Sequence, residues 1–116
     1  RLEQVLIATP EPAKDASHLS RLIDREPRTE ADGAVAVPSG GDRADFVFLT
    51  LDQLGKRYPG VPLSGIPERG GAALVLVSGD LKATEKALGP AGVRSGAAIC
   101  VPPAKANGTL LSFIAA

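Results

Sequence analysis

The chain has no methionine and no tryptophan, and it has one cysteine and one histidine in 116 residues. Because Cys100 is alone, no intrachain disulfide can form, and nothing favours an oxidising compartment. Aromatic residues make up only 3% of the chain. The core must therefore be built from Ala, Val, Leu and Ile. The missing methionine predicts that Arg1 is internal to a longer chain.

The chain also lacks any excess of one charge, since 13 basic residues balance 13 acidic ones. A nucleic acid or an anionic membrane would require a basic stripe, so the sequence argues against both partners. No apolar run is long enough for a membrane span, and no signal peptide is visible. These absences predict a cytoplasmic protein.

The hydrophobic pattern predicts a strand over residues 4–9 that leads directly into a helix. Pro10 and Pro12 suit the first turn of that helix, and Pro27 is expected to close it. Strands are predicted over 28–32, 34–37 and 45–51. A turn is predicted over 38–42, where Gly40 and Gly41 stand together.

A second unit repeats this order, with a strand over 73–77, a helix over 81–88 and strands over 93–95, 97–101 and 109–114. An offset of 69 residues aligns Thr9 with Ser78 and Glu11 with Asp80. Two copies of strand, helix and three strands indicate a duplicated module. We therefore expect a single domain, with module one over about 1–55, a linker over about 56–70 and module two over about 71–116.

Alternation along the strands predicts which residues share a face of the sheet. Val5, Ile7, Leu74 and Leu76 are expected beneath the helices. The opposite face would carry the remaining residues of the two leading strands, which are Gln4, Leu6, Ala8, Ala73, Val75 and Val77. If the modules join side by side, that second face lines a shared curved hollow.

Several stretches resemble the vicinal oxygen chelate superfamily, and its glyoxalase-like branch in particular. Residues 2–8 resemble its opening strand, 77–83 its second strand-to-helix joint, 87–93 its helix exit and 101–113 its closing hairpin. Together they cover essentially the whole chain. The resemblance implies an α+β fold, in which paired βαβββ modules form a cupped mixed sheet with covering helices.

Many members of that family bind a divalent metal through His, Gln or Glu on the first and last strands of each module. Here Gln4 is an admissible ligand. The other positions hold Ala73, Ser112 and, depending on register, Val47 or Phe48. A catalytic metal needs about three protein ligands, so we expect no metal site and no cofactor.

Without a metal, the predicted hollow is mostly apolar with a few hydrogen-bonding groups. That is the profile of a small-molecule pocket, and equally that of a core with nothing in it. The residues expected to line it are Gln4, Leu6, Phe46, Phe48, Val75, Val77 and Ser112. Arg57 and Tyr58 lie in the long linker and are candidates for the pocket mouth, or for an exposed loop that Tyr58 anchors to the core.

No catalytic residue can be assigned from the pattern. His18 lies on the first helix, outside the hollow, where an exposed or half-buried structural role is expected. Cys100 lies in an apolar strand, and no cationic neighbour in sequence lowers its pKa. It is therefore expected to be an inert, buried residue, although facing the hollow it could act as a thiol nucleophile.

Three functions remain open. The leading hypothesis is a metal-independent, small-molecule-binding domain. The second is a lyase, isomerase or dioxygenase of the same superfamily, with Gln4 and a partner chain sharing the metal. The third is a structural or dimerisation module. Because open sheet edges need partners, we expect a homodimer or pairing with a tandem domain of the same protein.

Overall fold

The computed structural model describes residues 1–41 and 43–116, so Asp42, within the predicted turn 38–42, lies outside the described residues. Module one runs in the order β1, α1, β2, β3, β4. Its bounds are Leu2–Ala8, Pro12–Ile23, Arg28–Thr29, Val35–Pro38 and Asp45–Leu49. Module two runs in the order β5, α3, β6, β7, β8. Its bounds are Gly70–Ser78, Leu81–Leu88, Val93–Ser95, Ala98–Val101 and Leu110–Ala115. Between the modules lies α2, Leu51–Arg57.

The eight strands form one mixed sheet in the order β2-β3-β4-β1-β5-β8-β7-β6. In each module the first strand pairs in parallel with the last, β1 with β4 and β5 with β8. The modules join through the antiparallel pair of β1 and β5 at the centre. The predicted α+β architecture of two βαβββ modules is therefore confirmed.

The outer face of the sheet is the face that the module helices cover. Ala16 of α1 is fully buried there with Val37 and Phe48. In module two, a Cβ on Gly92 would stand 3.4 Å from Leu88 Cβ and 3.3 Å from Ile99 Cγ2. The absence of a side chain at Gly92 thus lets the end of α3 approach β7 closely.

The inner face carries the larger core cluster, and α2 with the segment after it covers this face. Leu54, Tyr58, Val61 and Ile66 belong to the same buried cluster as Leu6 of β1. The predicted linker is therefore partly helical and partly core. Burial of these apolar side chains is what holds a stretch rich in Gly and Pro against the sheet.

The helix boundaries follow from local chemistry. Pro12 occupies the first turn of α1, and Asp24 ends the helix in a left-handed conformation with φ of 54°. The sequence predicted that Pro27 closes this helix, but the helix ends earlier, at Ile23. In α2, Thr50 and Gln53 form a reciprocal capping box, which satisfies the free N–H groups of the first turn.

No helix in the described part of the chain combines the length and apolar composition that a bilayer crossing requires.

Candidate functional site

The strand register brings five of the seven predicted lining residues to the inner face. Gln4 lies beside Val75 across the β1–β5 pair, and Val75 lies beside Ser112 across the β5–β8 pair. Leu6 and Val75 are both buried in the inner cluster. Val77 follows Val75 with the same side-chain orientation and is half-buried.

Phe46 and Phe48 lie on the outer face instead. Val5 pairs with Phe46 and Ile7 with Phe48, and both phenylalanines pack in the cluster that contains Ala16 of α1. The sequence predicted that they share a surface with Leu6 and Ser112. That prediction is wrong for both phenylalanines. Strand β4 is apolar on both faces, so alternation alone could not assign them.

The inner face is filled in this structure. Leu6 and Ser112 have no exposed surface, and Val75 is 4% exposed. The covering side chains come from α2 and the segment after it, with Leu54 fully buried and Tyr58 8% exposed. A ligand that reaches the strands must displace part of this cover.

Arg57, the last residue of α2, binds acidic side chains of module one and does not lie at an open pocket mouth. Its Nε donates to Asp32 Oδ2 at 2.5 Å, and its Nη2 donates to Asp32 Oδ1 at 3.1 Å and to Glu30 Oε1 at 2.9 Å. The hydrogen bond to Arg57 lowers the pKa of Asp32, and the same bond raises the pKa of Arg57. The segment after α2 is also held by Ser95 Oγ of β6, which donates a hydrogen bond to the Pro59 carbonyl at 3.0 Å.

Tyr58, Ser112 and Cys100 form a small polar group within the apolar inner core. Cys100 pairs with Ser112 across β7 and β8. Burial raises the pKa of both the Tyr58 phenol and the Cys100 thiol, and the neighbouring Ser112 hydroxyl, which does not meet the geometry of a hydrogen bond to either group, partly opposes both shifts. Ser112 Oγ itself is buried without a hydrogen-bond partner among the residues described. At neutral pH the group therefore offers three neutral hydrogen-bonding atoms, one of them unsatisfied.

These residues do not fit the metal that the family resemblance implies. Of the four expected ligand positions, the register places Val47 rather than Phe48 on the inner face, because Val47 pairs with Leu6. Val47 and Ala73 have no donor atom, and only Gln4 and Ser112 are polar. Residues 1–41 and 43–116 contain no cluster of three or more His, Cys, Asp or Glu able to hold a metal.

Other candidate residues lie away from this group. His18 is exposed on α1. Asp45, which the sequence analysis did not single out, lies beside Gln4 through the parallel pairing of β1 and β4, and its carboxylate is 3.5 Å from Arg28. Its position could be inferred only once the pairing of these two strands was known.

A separate depression of about 390 Å³ opens where β1 and β4 end. Thr9, Thr50, Asp52 and Glu68 line it. Asp52 lies in the first turn of α2, where a carboxylate stabilises the helix N-terminus, so its position is explained without a ligand.

The paired modules define the fold of the vicinal oxygen chelate superfamily, which confirms the fold predicted from the resemblance. No family model and no curated protein sequence matches the chain.

Among solved structures, the methylmalonyl-CoA epimerase of Mycobacterium tuberculosis is similar, with a TM-score of 0.62 and 14% identity over 98% of this chain and 86% of that one. A Streptomyces coelicolor methylmalonyl-CoA epimerase variant, in complex with 2-nitronate-propionyl-CoA, has a TM-score of 0.62 and 12% identity over 100% and 96%. A hypothetical protein from Bacillus halodurans has a TM-score of 0.55 and 11% identity over 100% and 94%.

Proposed function

We propose that this chain is a small-molecule-binding domain that uses the inner face of the vicinal oxygen chelate fold without a metal. The observation that carries the proposal is the buried Ser112 hydroxyl, which has no hydrogen-bond partner among the described residues. A buried polar group left unsatisfied costs about 1–3 kcal/mol. A polar ligand atom that reaches Ser112 would remove that cost.

The surroundings of Ser112 define the chemistry of the ligand. The raised pKa values of Tyr58 and Cys100 keep both groups neutral near pH 7, so an ionised ligand group would find no counter-charge from them. Leu6 and Val75 supply the apolar wall. These properties favour a neutral carbonyl or hydroxyl on a small apolar body.

Binding is proposed rather than catalysis, because none of the described residues around Ser112 has a side chain suited to move a proton near pH 7. Histidine is the usual general base, but His18 is exposed on α1. The Cys100 thiol is held in its neutral form by burial. The ligand is expected to enter by shifting the segment after α2, which rests on the sheet through Tyr58, Val61 and Ile66.

A short-chain acyl thioester is the first ligand class to test, because a similar solved structure holds 2-nitronate-propionyl-CoA and a thioester provides a neutral carbonyl. Isothermal titration with propionyl-CoA, with free coenzyme A as the reference, should show saturable binding that needs the acyl group. Ser112→Ala should weaken this binding by about tenfold, the value of one hydrogen bond. Ser17→Ala, at an exposed serine on α1, is the matched control and should bind as the wild type does.

Equal affinity of Ser112→Ala and the wild type would contradict the proposed role of Ser112. If none of a panel of acyl thioesters, esters and ketones raises the melting temperature, the binding proposal fails. The structural or dimerisation role is then favoured, and the filled inner face is the observation that supports it.

The metal-dependent alternative has its own test. The wild type and Gln4→Ala are titrated with Ni²⁺, Zn²⁺, Fe²⁺ and Mn²⁺, and bound metal is measured after gel filtration. Our proposal expects no stoichiometric metal in either protein. A metal retained by the wild type and lost from Gln4→Ala would support the enzyme reading, with ligands completed by a partner chain.

Pairing with a second copy or with a tandem domain, and a cytoplasmic location, stay predictions. Sedimentation equilibrium of the purified chain distinguishes the monomer from the homodimer.

A further inference from the structure

A depression of about 510 Å³ lies on the outer face, on the side of the sheet opposite to Ser112. Its apolar lining comes from Leu2 and Val5 of β1, Ile23 at the end of α1 and Phe46 of β4. We call it the outer pocket. Its volume lies within the range of small-molecule sites.

The outer pocket exists because α1 is shorter than the face it covers. The helix ends at Ile23, and the left-handed Asp24 turns the chain away. Val5 and Phe46, near the start of their strands, are consequently only half-buried, and Leu2 is 38% exposed. An apolar floor is thus left open below the last turn of the helix.

Two arginines, Arg25 and Arg43, also line the outer pocket. The Arg25 side chain packs against Gly40, where a Cβ would lie 2.7 Å from Arg25 Nη2, so Gly40 leaves the space that the guanidinium occupies. Within residues 1–41 and 43–116, no acidic side chain lines the outer pocket and neither arginine forms an ion pair.

An apolar floor with two arginines complements a molecule that has a hydrocarbon body and one anionic head. Arginine binds a carboxylate through two parallel hydrogen bonds, and burial of the hydrocarbon body supplies the remaining affinity. We propose that the outer pocket binds a soluble medium-chain carboxylate. This site is independent of the proposed inner-face ligand, which is neutral and would contact Ser112.

The test is a titration of the ¹⁵N-labelled chain with sodium octanoate below its micelle concentration, followed by amide chemical shifts. Saturable shifts should centre on Val5, Ile23 and Phe46. The double variant Arg25→Ala/Arg43→Ala should bind at least tenfold more weakly. The matched control Lys82→Ala/Lys86→Ala removes the same charge from α3 of module two and should bind as the wild type does.

Two ligand series separate the head from the tail without changing the protein. Hexanoate should bind about tenfold more weakly than octanoate, because it buries two fewer methylene groups at about 0.8 kcal/mol each. Octanol, which has the same tail and no charge, should also bind at least tenfold more weakly. Unchanged melting temperatures in both double variants exclude unfolding as the cause of lost affinity.

The proposal would be overturned by the absence of a saturable shift with octanoate, by equal binding of octanoate and octanol, or by equal binding of octanoate to the wild type and the arginine double variant. Shifts centred on Val75 and Ser112 would also overturn it, while supporting a ligand on the inner face. The failure of one site is therefore distinguishable from the failure of the other.

Discussion

The two modules share a topology, but their helices are held on the sheet in different ways. Helix α1 has 12 residues and buries Ala16 completely, whereas α3 has eight residues and buries none of them. At the offset of 69 residues, Glu85 occupies the position of Ala16, and it pairs with Arg94 at 2.9 Å. A duplicated chain path can therefore persist without a duplicated core.

The helix starts show the same contrast. Asp80 caps α3 by accepting a hydrogen bond from the Ala83 amide at 3.1 Å. At the start of α1, Glu11 makes no side-chain cap hydrogen bond. Packing thus holds α1, while capping and a surface ion pair contribute a larger share of the stability of α3.

Exchanging the equivalent residues of the two helices should give the largest difference in the free energy of unfolding. Ala16→Glu forces a longer, charged side chain into a closed site and should lower the free energy of unfolding by about 3–5 kcal/mol. Glu85→Ala removes one partly exposed ion pair and should cost less than about 1 kcal/mol. Urea denaturation of both variants measures the difference, and similar losses would show that α3 is held like α1.

The second-largest loss of stability is expected for the residues of α2 that cover the inner face. Leu54 of α2 is fully buried, so Leu54→Ala should cost about 3 kcal/mol through lost burial and the cavity left behind. Leu51→Ala, one turn earlier and 39% exposed, is the control and should cost less than about 1 kcal/mol. If both variants unfold at the same urea concentration, α2 is not part of the core in solution.

The ion pair of Arg57 should contribute less, because its groups remain partly in water. Arg57→Ala should cost about 1–2 kcal/mol at pH 7, measured by urea denaturation. Lys56→Ala, which loses only the exposed pair with Asp52, should cost less than about 0.5 kcal/mol.

The pH dependence tests whether carboxylates hold Arg57 in place. The pKa of Asp32 is lowered below its ordinary value of 3.8, so its contribution is complete above that value and is lost as the pH falls towards the folded-state pKa. The difference in stability between wild type and Arg57→Ala should therefore shrink as the solution is acidified below the ordinary value. A constant difference would mean that Arg57 stabilises the fold through packing alone.

The caps should give the smallest effect. Asp80→Ala should cost about 1 kcal/mol, because the Ala83 amide loses its acceptor in a helix with little packing to compensate. Glu11→Ala should cost less, since only the longer contacts to Lys14 at 3.8 Å and Arg69 at 3.6 Å are lost. Thermal unfolding of the two variants in one buffer compares them, and a larger loss for Glu11→Ala would reverse the contrast.

Much of the fold was predictable from local pattern. The bounds of α3 follow from Asp80 and the Gly89-Pro90 pair, which are helix signals within a few residues of each other. The order of the strands along the chain follows from alternation and turns. These features depend on neighbours in sequence, so one chain is enough to find them.

The inner face was less predictable, because distant residues decide it. Tyr58 and Ile66 stand among glycines and prolines that indicate a loop, and their burial depends on a sheet built from both modules. Arg57 meets Asp32 across 25 residues, a pairing that no local pattern encodes. The faces of Phe46 and Phe48 required the register of β4 against β1.

The central place of β1 has a consequence for the order of folding during synthesis. Its parallel partner begins at Asp45, and its antiparallel partner pairs as far as Leu76. Strand β1 therefore emerges from the ribosome before either of its partners, and its apolar residues stay unpaired until β4 and β5 have been synthesised. Such distant pairings slow folding and expose strands to aggregation, so we expect this strand to depend most on protection while the chain is still incomplete.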